Sequence, residues 1–351
     1  MNVRMLLLAL LLMASPALAQ GFAGLGGDAQ GFAVPERGVA LSFPPDHGAH
    51  PDYRIEWWYL TANLKGADGK DYGAQWTLFR SGLASGEKAG WQSPQLWMGH
   101  AALTTAETHY SAERVARGGV GQAGVTLSPF VASIDDWTMT SRALPSVDAL
   151  SALSVNAAGD GFSYRLALTA QGPLVLQGDH GYSVKSAQGQ ASFYYSQPFY
   201  EVTGTITVGG KDIAVTGQAW FDHEWSSQPL AKDQTGWDWF SFHFESGEKL
   251  MGFRLRDASA GFTSATWIAA DGTPEPQPPG ALTMTPLAWT DVKGHRVPVQ
   301  WKLALPGKGL EVTTSSVNAQ AWMDTQVSYW EGPVRLAGTH PGQGYVEMTG
   351  D

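Results

Sequence analysis

The chain has 351 residues and contains no cysteine. Disulfides, thiolate metal ligands and cysteine nucleophiles are therefore excluded, and the fold has to be stabilised by burial of apolar surface. Charged residues are scarce as well, at 15% of the chain, and the formal net charge is −10. Because no run of lysine and arginine is available to neutralise phosphates, we expect no nucleic-acid partner.

Long hydrophobic runs are also missing. The apolar segment Met5–Ala14 follows Arg4 and precedes the small-residue site Ala17–Ala19. This order is typical of a secretory signal peptide at residues 1–19. The segment is shorter than the roughly 18 apolar residues that a membrane span needs, and no later stretch approaches that length. We therefore expect an exported protein, periplasmic or secreted, without a transmembrane segment after cleavage; the alternative is an N-terminal anchor that is retained.

Several catalytic motifs are absent. The sequence has no Gly-x-Ser-x-Gly elbow, no phosphate-binding Gly-x-x-x-x-Gly-Lys-Ser/Thr loop, no Gly-x-Gly-x-x-Gly that opens a βαβ unit, and no His-Glu-x-x-His. Of the nine histidines, only His47 and His50 lie close together, and this pair is weak evidence for zinc. We expect neither a metal ion nor an organic cofactor.

Glycine, proline and aromatic residues are plentiful instead, with 42 Gly, 20 Pro and 15 Trp. Most segments alternate polar and apolar side chains and end at Gly, Asn, Asp or Pro, which is typical of antiparallel strands. Hairpins are predicted at Tyr53–Lys65 with Tyr72–Arg80 and at Trp237–Phe244 with Lys249–Arg256. Thr105–Arg117 is the best candidate for a helix. The short, regular strands predict an all-β fold built from barrels or sandwiches.

The polar segment 226–236 lies between two pairs of predicted strands. We place a domain boundary there, which divides the chain into the signal peptide 1–19, a first domain 20–232 and a second domain 233–351. The proline-rich segment 273–279 is too short for a stalk, and we expect it to form an extended surface loop.

Two segments combine acidic side chains with aromatic ones. In the first, Glu56 and Trp58 would share one face of a strand, with Trp57 and Tyr59 on the other. A carboxylate beside indole rings is costly unless it is paired or solvated, and desolvation raises its pKa. Glu56 is thus either a functional acid or a structural residue that is paired with Arg54 or with a backbone group.

The second segment places Asp222, His223 and Glu224 in succession between aromatic residues. Strand alternation puts Asp222 and Glu224 on one face, and His223 with Trp225 on the other. Either carboxylate could hold a proton for donation, and His223 could relay or orient it. Packing alone explains this cluster poorly, so we favour catalysis or ligand binding.

Two further strands carry candidate residues. His100 would point into an apolar interior, either as a hydrogen-bonded core residue or as a ligand contact. In the strand 236–244, Trp237 and Trp239 share one face, and Asp238 shares the other with phenylalanines. Because both faces are aromatic, this strand is either buried on both sides or lines a pocket.

Several of these segments together resemble a known family. The chain is similar to secreted AttH-like proteins, which are similar to bacterial carotenoid 1,2-hydratases, also called hydroxyneurosporene synthases. The matching segments keep their order along the chain and are His50–Tyr53 with Glu56–Tyr59, Phe221–Trp225, Gly236–Phe240 and Tyr329–Gly332. The resemblance implies two lipocalin-like antiparallel β-barrel domains packed together, with a hydrophobic ligand space in the barrels and in the cleft between them.

In carotenoid hydratases, water addition to a terminal isoprenoid double bond is attributed to a proton-donating carboxylate aided by His, Trp and Tyr residues. The resemblance matches the family's His-x-Trp element to His223 and Trp225. Its Tyr-x-Asp element would fall near Leu250–Phe253, where this chain has no acid. The acids that could replace that proton donor are Glu56, Asp222, Glu224 and Asp238.

Two main functions are open at this point. The first is an exported carrier that binds an elongated hydrophobic molecule, an isoprenoid or a lipid, for an envelope transport system. The second is a cofactor-free hydratase, isomerase or hydrolase that acts on such a ligand by carboxylate acid catalysis. A structural envelope protein is a third interpretation. The candidate catalytic residues are Asp222, His223, Glu224, Glu56 and Asp238, and the candidate ligand-binding residues are Trp57, Trp58, Tyr59, His100, Trp225, Trp237 and Trp239.

Overall fold

The computed structural model describes residue 27 and residues 29–350, which are mostly β-structure. The predicted signal peptide, residues 1–19, lies outside the described residues. Within them, no helix is long and apolar enough to cross a membrane. The described helical segments are single 3₁₀ turns at Pro45–His47, Gly90–Gln92, Ala149–Ser151 and Pro306–Lys308.

The first sheet contains thirteen described strands and curls into a nearly closed antiparallel barrel, called barrel 1. Its strands are β1 (Ile55–Gly66), β2 (Asp71–Gly82), β3 (Gln95–Thr104), β4 (His109–Arg117), β5 (Ala123–Leu127), β6 (Phe130–Ile134), β7 (Trp137–Ser141), β8 (Ala152–Gly159), β9 (Phe162–Ala170), β10 (Val175–Leu176), β11 (Tyr182–Val184), β12 (Ala191–Val208) and β13 (Lys211–Ser226). The spatial order is β4-β3-β2-β1-β13-β12-β9-β8-β7-β6-β5, with β10 and β11 paired to β12. The pairing of β1 with β13 therefore brings the beginning and the end of this domain together.

The second sheet contains ten described strands and forms a half-barrel, called barrel 2. Its strands are β14 (Gly236–Phe244), β15 (Lys249–Arg256), β16 (Phe262–Ile268), β17 (Pro274–Gln277), β18 (Thr283–Val292), β19 (His295–Leu305), β20 (Leu310–Ser316), β21 (Trp322–Met323), β22 (Tyr329–Gly338) and β23 (Gly342–Thr349). The order is β17-β16-β15-β14-β23-β22-β20-β19-β18, with β21 paired to β22. Residues 227–235 connect the two sheets, and the boundary predicted between residues 232 and 233 lies in this connection. The expected all-β fold of two lipocalin-like barrels is confirmed.

Strand alternation decides which side chains fill each barrel. Trp58 of β1 and Trp225 of β13 point into barrel 1. Phe240 and Phe242 of β14 point into barrel 2. Because a fully buried large apolar side chain contributes about 1.5–3 kcal/mol, these two cores can stabilise the fold without disulfides.

The opposite faces of the same strands meet between the barrels. Six large apolar residues from each side form a shared buried cluster: Tyr59, Val175, Tyr194, Phe199, Trp220 and Leu230 from barrel 1 and its connection, and Trp239, Met251, Phe253, Leu255, Ile268 and Tyr345 from barrel 2. This shared cluster packs the barrels together and encloses the cleft that contains the candidate site.

The expected helix at Thr105–Arg117 is wrong. Residues from His109 onward form β4, which pairs with β3 along its whole length. The residues before it form the hairpin turn, in which Thr105 Oγ1 accepts hydrogen bonds from the backbone N–H groups of Glu107 and Thr108. Pairing with a neighbouring strand outweighs the weak local preference for a helix.

The proline-rich segment 273–279 is extended, as expected, but part of it is a strand. Pro274–Gln277 forms β17, which pairs with β16 at the edge of the second sheet. Proline is tolerated there because an edge strand has one row of backbone groups that faces no further strand.

Candidate functional site

A cavity of about 230 Å³ lies in the cleft between the barrels. Much of its wall is aromatic or aliphatic and includes Trp57, Phe79, Met98, Trp237, Trp239, Phe253 and Leu255. Charged and ionisable side chains also reach it, among them Glu56, Arg80, His100, Lys185, Asp222, Glu224 and Glu347. An apolar wall with a few convergent polar groups is typical of a small-molecule site.

Asp222 lies in the cavity wall and is only 2% exposed. Its Oδ1 accepts hydrogen bonds from Ser196 Oγ at 2.5 Å and Trp220 Nε1 at 2.7 Å, and its Oδ2 accepts one from the Tyr194 hydroxyl at 2.8 Å. Burial raises the pKa of Asp222 to about 7 although these bonds favour the ionised form, and the charge of Glu224 adds to the rise. Asp222 can therefore gain or lose a proton near neutral pH.

Glu224 lies on the same face of β13 as Asp222 but has a cationic partner. Lys185 Nζ is 2.7 Å from Glu224 Oε1. The same ammonium group lies over the rings of Tyr194, at 4.9 Å, and Phe253, at 4.3 Å. Lys185 offsets the charge of Glu224, whereas the hydrogen-bond donors to Asp222 are all neutral.

Two more acids come from paired strands of barrel 2. Glu347 of β23 lines the cavity and accepts a hydrogen bond from Trp237 Nε1 at 2.6 Å. Glu331 of β22 is opposite Glu347 in the strand register, is 1% exposed, and accepts a hydrogen bond from the Tyr59 hydroxyl. Burial raises the pKa of both carboxyl groups, and the charge of Glu347 raises that of Glu331 further. The cleft thus contains a set of acids that hold protons more tightly than exposed ones.

His100 of β3 borders the cavity and bridges the two barrels. Its Nδ1 is 2.8 Å from the Tyr329 hydroxyl of β22, and its Nε2 is 3.1 Å from Glu113 Oε1 of β4. Burial lowers the pKa of His100, although Glu113 opposes that change, so the ring is neutral near pH 7. His100 is thus a buried, hydrogen-bonded residue that shares the largely apolar cavity wall with Met98, and it faces the cleft rather than the interior of barrel 1.

A second polar cluster is centred on Glu56, on the barrel 1 side of the cleft. Glu56 Oε1 is 2.6 Å from His50 Nδ1 and 2.9 Å from His223 Nε2, and its Oε2 accepts a hydrogen bond from Arg80 Nε at 2.8 Å. Glu56 is therefore a paired residue, and its partners are His50, His223 and Arg80. Arg54, the partner expected from the sequence, donates instead to the backbone oxygen of Ser227.

The charges of this cluster are strongly coupled. Burial alone would raise the pKa of Glu56, but His50, His223 and Arg80 outweigh it and hold that pKa far below its usual range. Burial alone would lower the pKa of His50, yet Glu56 and Asp46 raise it to about 9. Burial lowers the pKa of His223 to about 4, against the effect of Glu56. Near neutral pH, Glu56 is therefore a carboxylate and cannot donate a proton.

The ligand atoms of His50, Glu56 and His223 lie within 4.8 Å of one another, as in a metal site. However, Glu56 already accepts hydrogen bonds from both rings and from Arg80. The rings are also stacked, His50 on Trp225 at 3.9 Å and His223 on Trp58 at 4.5 Å. A cation would have to break these contacts close to a buried guanidinium, so the donor set fits an ion-pair cluster better than a metal centre.

The residues predicted from the sequence fall in three places. The cleft contains Trp57, Tyr59, His100, Asp222, Glu224, Trp237 and Trp239. Barrel 1 holds Trp58, His223 and Trp225, with Glu56 at its boundary with the cavity. Asp238 lies on the barrel 2 face of β14, where it bonds to Arg254 at 2.7 Å and to Arg256. The structure therefore does not bring Asp238 together with the other candidate acids.

The cleft residues that the sequence did not single out include Lys185, Tyr194, Glu331 and Glu347. Glu331 stands in the segment Tyr329–Gly332, which was matched to the family without a role for its acid. Glu347 stands between the apolar residues Val346 and Met348, without another acid or histidine within three residues on either side. Only the tertiary contacts with Tyr59 and Trp237 distinguish these two acids from surface glutamates.

The fold and the site together define a class: a double lipocalin-like barrel protein with an aromatic, acid-containing cavity between its domains. Within that class, the chain belongs to the AttH-like family, whose family model matches residues 34–351. The resemblance inferred from the sequence motifs is therefore confirmed.

Solved structures share this architecture. A Nitrosomonas europaea protein described as an AttH is 31% identical, with a TM-score of 0.79 and coverage of 91% of this chain and 99% of that one. Kievitone hydratase from Nectria haematococca is 17% identical, with a TM-score of 0.68 and coverage of 91% and 96%. CghA, in its structure with Sch210972, is 16% identical, with a TM-score of 0.56 and coverage of 92% and 97%. At these low identities, the similarities to kievitone hydratase and CghA show the fold alone. No curated protein sequence matched the chain.

Proposed function

We propose that the chain is a cofactor-free enzyme of the hydratase type, which adds water to a carbon–carbon double bond of an apolar molecule bound between the barrels. The observation that carries this function is the group of three carboxyls with raised pKa values, Asp222, Glu331 and Glu347, beside an aromatic cavity. Such acids retain a proton near neutral pH and can give it to a weak base such as an alkene.

Asp222 acts as the general acid in this mechanism. Its carboxyl group passes a proton to one alkene carbon, and the π electrons form the new C–H bond. The neighbouring carbon becomes a carbocation, which the indole rings of Trp57, Trp237 and Trp239 stabilise through their faces. The apolar wall keeps most water away from this cation.

Glu347 acts as the general base that completes the addition. The oxygen of a water molecule forms a bond with the cationic carbon, and the proton that it loses goes to the Glu347 carboxylate. The charge of Asp222 raises the pKa of Glu347, so it is unfavourable to ionise both groups at once. The favoured state has one protonated and one ionised carboxyl, which is the state that the mechanism requires.

The cavity volume restricts the substrate. A volume of about 230 Å³ exceeds the about 150 Å³ of an engineered cavity that holds one benzene ring. The cavity can thus hold one or two rings, or the end of a longer chain. An elongated isoprenoid or lipid would insert only its terminal group, with the remainder outside the cavity.

A carrier is the second candidate function, and the apolar wall around Phe79, Met98 and Leu255 favours it. A binding protein needs such a wall and a few polar anchors, but it needs no protonated acid. The raised pKa values therefore favour the enzyme. For both functions, export is expected from the predicted signal peptide and the partner is a hydrophobic small molecule; a carrier would deliver it to an envelope transport system.

The test incubates the purified protein with an apolar extract of its host in water enriched in oxygen-18, and follows bound and free molecules by mass spectrometry. We expect a product that is heavier by one labelled water molecule. Asp222→Asn should lower the rate by roughly 100-fold or more, because it removes the proton donor. The same change at an exposed turn, Asp160→Asn, serves as the matched control and should leave the rate unchanged.

Two results would contradict the mechanism. A molecule that is enriched on the protein but chemically unchanged would indicate the carrier. Full turnover by Asp222→Asn would show that another group donates the proton.

A further inference from the structure

A line of hydrogen-bonding side chains leads from the surface of barrel 1 into the cleft. It begins at Glu113, whose side chain is 18% exposed and whose Oε1 is 3.1 Å from His100 Nε2. On the other side of the ring, His100 Nδ1 is 2.8 Å from the Tyr329 hydroxyl. The two rings stack with centroids 5.6 Å apart. This contact connects β3 of barrel 1 directly to β22 of barrel 2.

The line continues from Tyr329 to the cavity. The Tyr59 hydroxyl donates a hydrogen bond to Glu331 Oε1. The Tyr329 hydroxyl also interacts with this carboxyl group, whose Oε2 atom is buried and has no hydrogen-bond partner among the described residues. The Tyr59 hydroxyl also interacts with Glu347, which lines the cavity. Glu331 is 1% exposed, so Tyr59 on one side and Tyr329 on the other link this buried acid to the cavity and to His100.

A count of protons agrees with this arrangement. The line has five contacts, from Glu113 through His100, Tyr329, Glu331 and Tyr59 to Glu347. Two phenols and a neutral imidazole supply three protons, and an ionised Glu113 supplies none. The remaining two contacts each have a proton when Glu331 and Glu347 are both protonated, which is the state that Glu347 reaches after it has accepted the proton of the added water. Burial favours the neutral forms of His100 and of these two glutamates.

We infer that this line is a proton relay, which exchanges protons between solvent at Glu113 and the cavity acid Glu347. Its purpose rests on the proposed function, because each addition of water moves a proton from Asp222 to Glu347. Before the next turnover, Asp222 has to regain a proton and Glu347 has to lose one. The relay itself is a property of the protein without substrate. His100 and Glu113 are thus positioning and proton-transfer residues rather than groups that react with the substrate.

The transfer consists of one proton shift at each contact. A protonated Glu113 gives its proton to His100 Nε2, while the Nδ1–H group passes its proton to the Tyr329 oxygen. The Tyr329 hydroxyl proton moves to the protonated Glu331, and the proton that Glu331 already holds moves to the Tyr59 oxygen. The Tyr59 hydroxyl proton then moves to an ionised Glu347. Glu113 is left as a carboxylate and regains a proton from water, so protons and charge balance. The same shifts in reverse release a proton to solvent.

The test measures hydrogen–deuterium exchange of the buried carboxyl groups in the intact protein without ligand. After rapid mixing into D₂O, time-resolved infrared spectroscopy follows the C=O stretching bands of protonated Glu331 and Glu347, which are assigned by their loss in Glu331→Gln and Glu347→Gln. We expect Tyr329→Phe, which removes one hydroxyl, to slow exchange at Glu347 by roughly tenfold or more. Tyr72→Phe is the matched control, because the Tyr72 hydroxyl bonds to Asp68 outside the line, and it should not change the rate.

His100→Phe should have the same effect as Tyr329→Phe, so a folding failure of one variant leaves the other to decide. Exchange at the wild-type rate in the folded variant would overturn the relay, whatever the protein does with substrates. Slow exchange in a protein that adds water to no molecule would support the relay and reject the proposed function. Normal exchange together with turnover would reject the relay alone.

Discussion

Glu56 and Glu331 are glutamates with 0% and 1% exposure, yet their pKa values shift in opposite directions. Glu56 has a guanidinium and two imidazoles as partners, which outweigh the effect of burial. Glu331 has phenol hydroxyls and a neighbouring glutamate, so burial dominates. The same residue type is thus a fixed anion beside barrel 1 and a protonated acid in the cleft. Only the second kind can donate a proton near neutral pH.

At this scale, His50 predicts a pH dependence of stability. Its pKa is raised from 6.5 to about 9 in the folded protein, so its contribution is complete below pH 6.5 and is lost as the pH rises through 9. At about 1.4 kcal/mol per pH unit, the loss is at most about 3.5 kcal/mol. His50→Asn keeps a side-chain N–H but cannot become charged. Urea unfolding at pH 6 and pH 10 should therefore show a difference between wild type and variant that shrinks with rising pH.

Comparison with the variant separates His50 from other titrating groups, because their contributions cancel in the difference. Lys249 makes this control necessary, because burial lowers its pKa to about 8. Its contribution to stability therefore increases as the pH rises above 8, whereas the contribution of His50 decreases. A difference in stability that does not depend on pH would contradict the assignment of a charged His50.

Strands β1 and β13 each supply two sites, because their side chains alternate between the two faces of the sheet. On β13, His223 points toward Glu56 and barrel 1, whereas Asp222 points toward the cleft. The register pairs Trp58 with His223 and Trp57 with Glu224, so each face of the strand pair is continuous. A shift of one residue would exchange the two faces and dismantle both sites at once.

A glycine of β2 allows barrel 2 to pack closely against barrel 1. A Cβ atom at Gly73 would lie 2.3 Å from the Tyr345 hydroxyl and 2.6 Å from Pro333 Cγ. Gly73→Ala should therefore push the barrels apart and cost about 1–3 kcal/mol of stability, measured as a fall in the thermal midpoint. Gly307→Ala is the matched control, because its Cβ atom would have no neighbour within 4 Å. A wild-type midpoint for Gly73→Ala would show that the interface adapts without cost.

The two barrels depend on each other for burial of their outer faces. The shared cluster contains six apolar residues from each side, and separation of the barrels would expose them. At about 1.5–3 kcal/mol for each large side chain, this burial amounts to more than ten kcal/mol as an upper-bound order of magnitude. That is comparable with the whole stability of an ordinary domain, so neither barrel is expected to remain folded when the other unfolds.

The whole molecule should therefore unfold in a single transition. Thermal curves from far-ultraviolet circular dichroism and tryptophan fluorescence should coincide, and the calorimetric and van't Hoff enthalpies should agree. Two separate transitions would show that the barrels are independently stable. In that case, the cleft would lie between two domains that fold independently of each other.

Local patterns predicted much of the fold and part of the site. Period-two alternation placed Glu56 with Trp58 and Asp222 with Glu224 on common faces, and the structure confirms both pairs. The helix expected at Thr105–Arg117 was wrong because strand pairing with β3 prevailed. The strands β5–β8 were not singled out by their sequences, since their alternation is short and interrupted by turns.

The sequence by itself determined the all-β class, the strand faces and the AttH-like resemblance, because these depend on neighbours a few residues apart. Only the tertiary structure decided which face meets the cleft, since an alternating strand is equally consistent with either orientation. It also decided which acids hold a proton. Glu331 and Tyr59 are 272 residues apart along the chain, and a carboxyl group acquires its pKa from the groups that surround it in space.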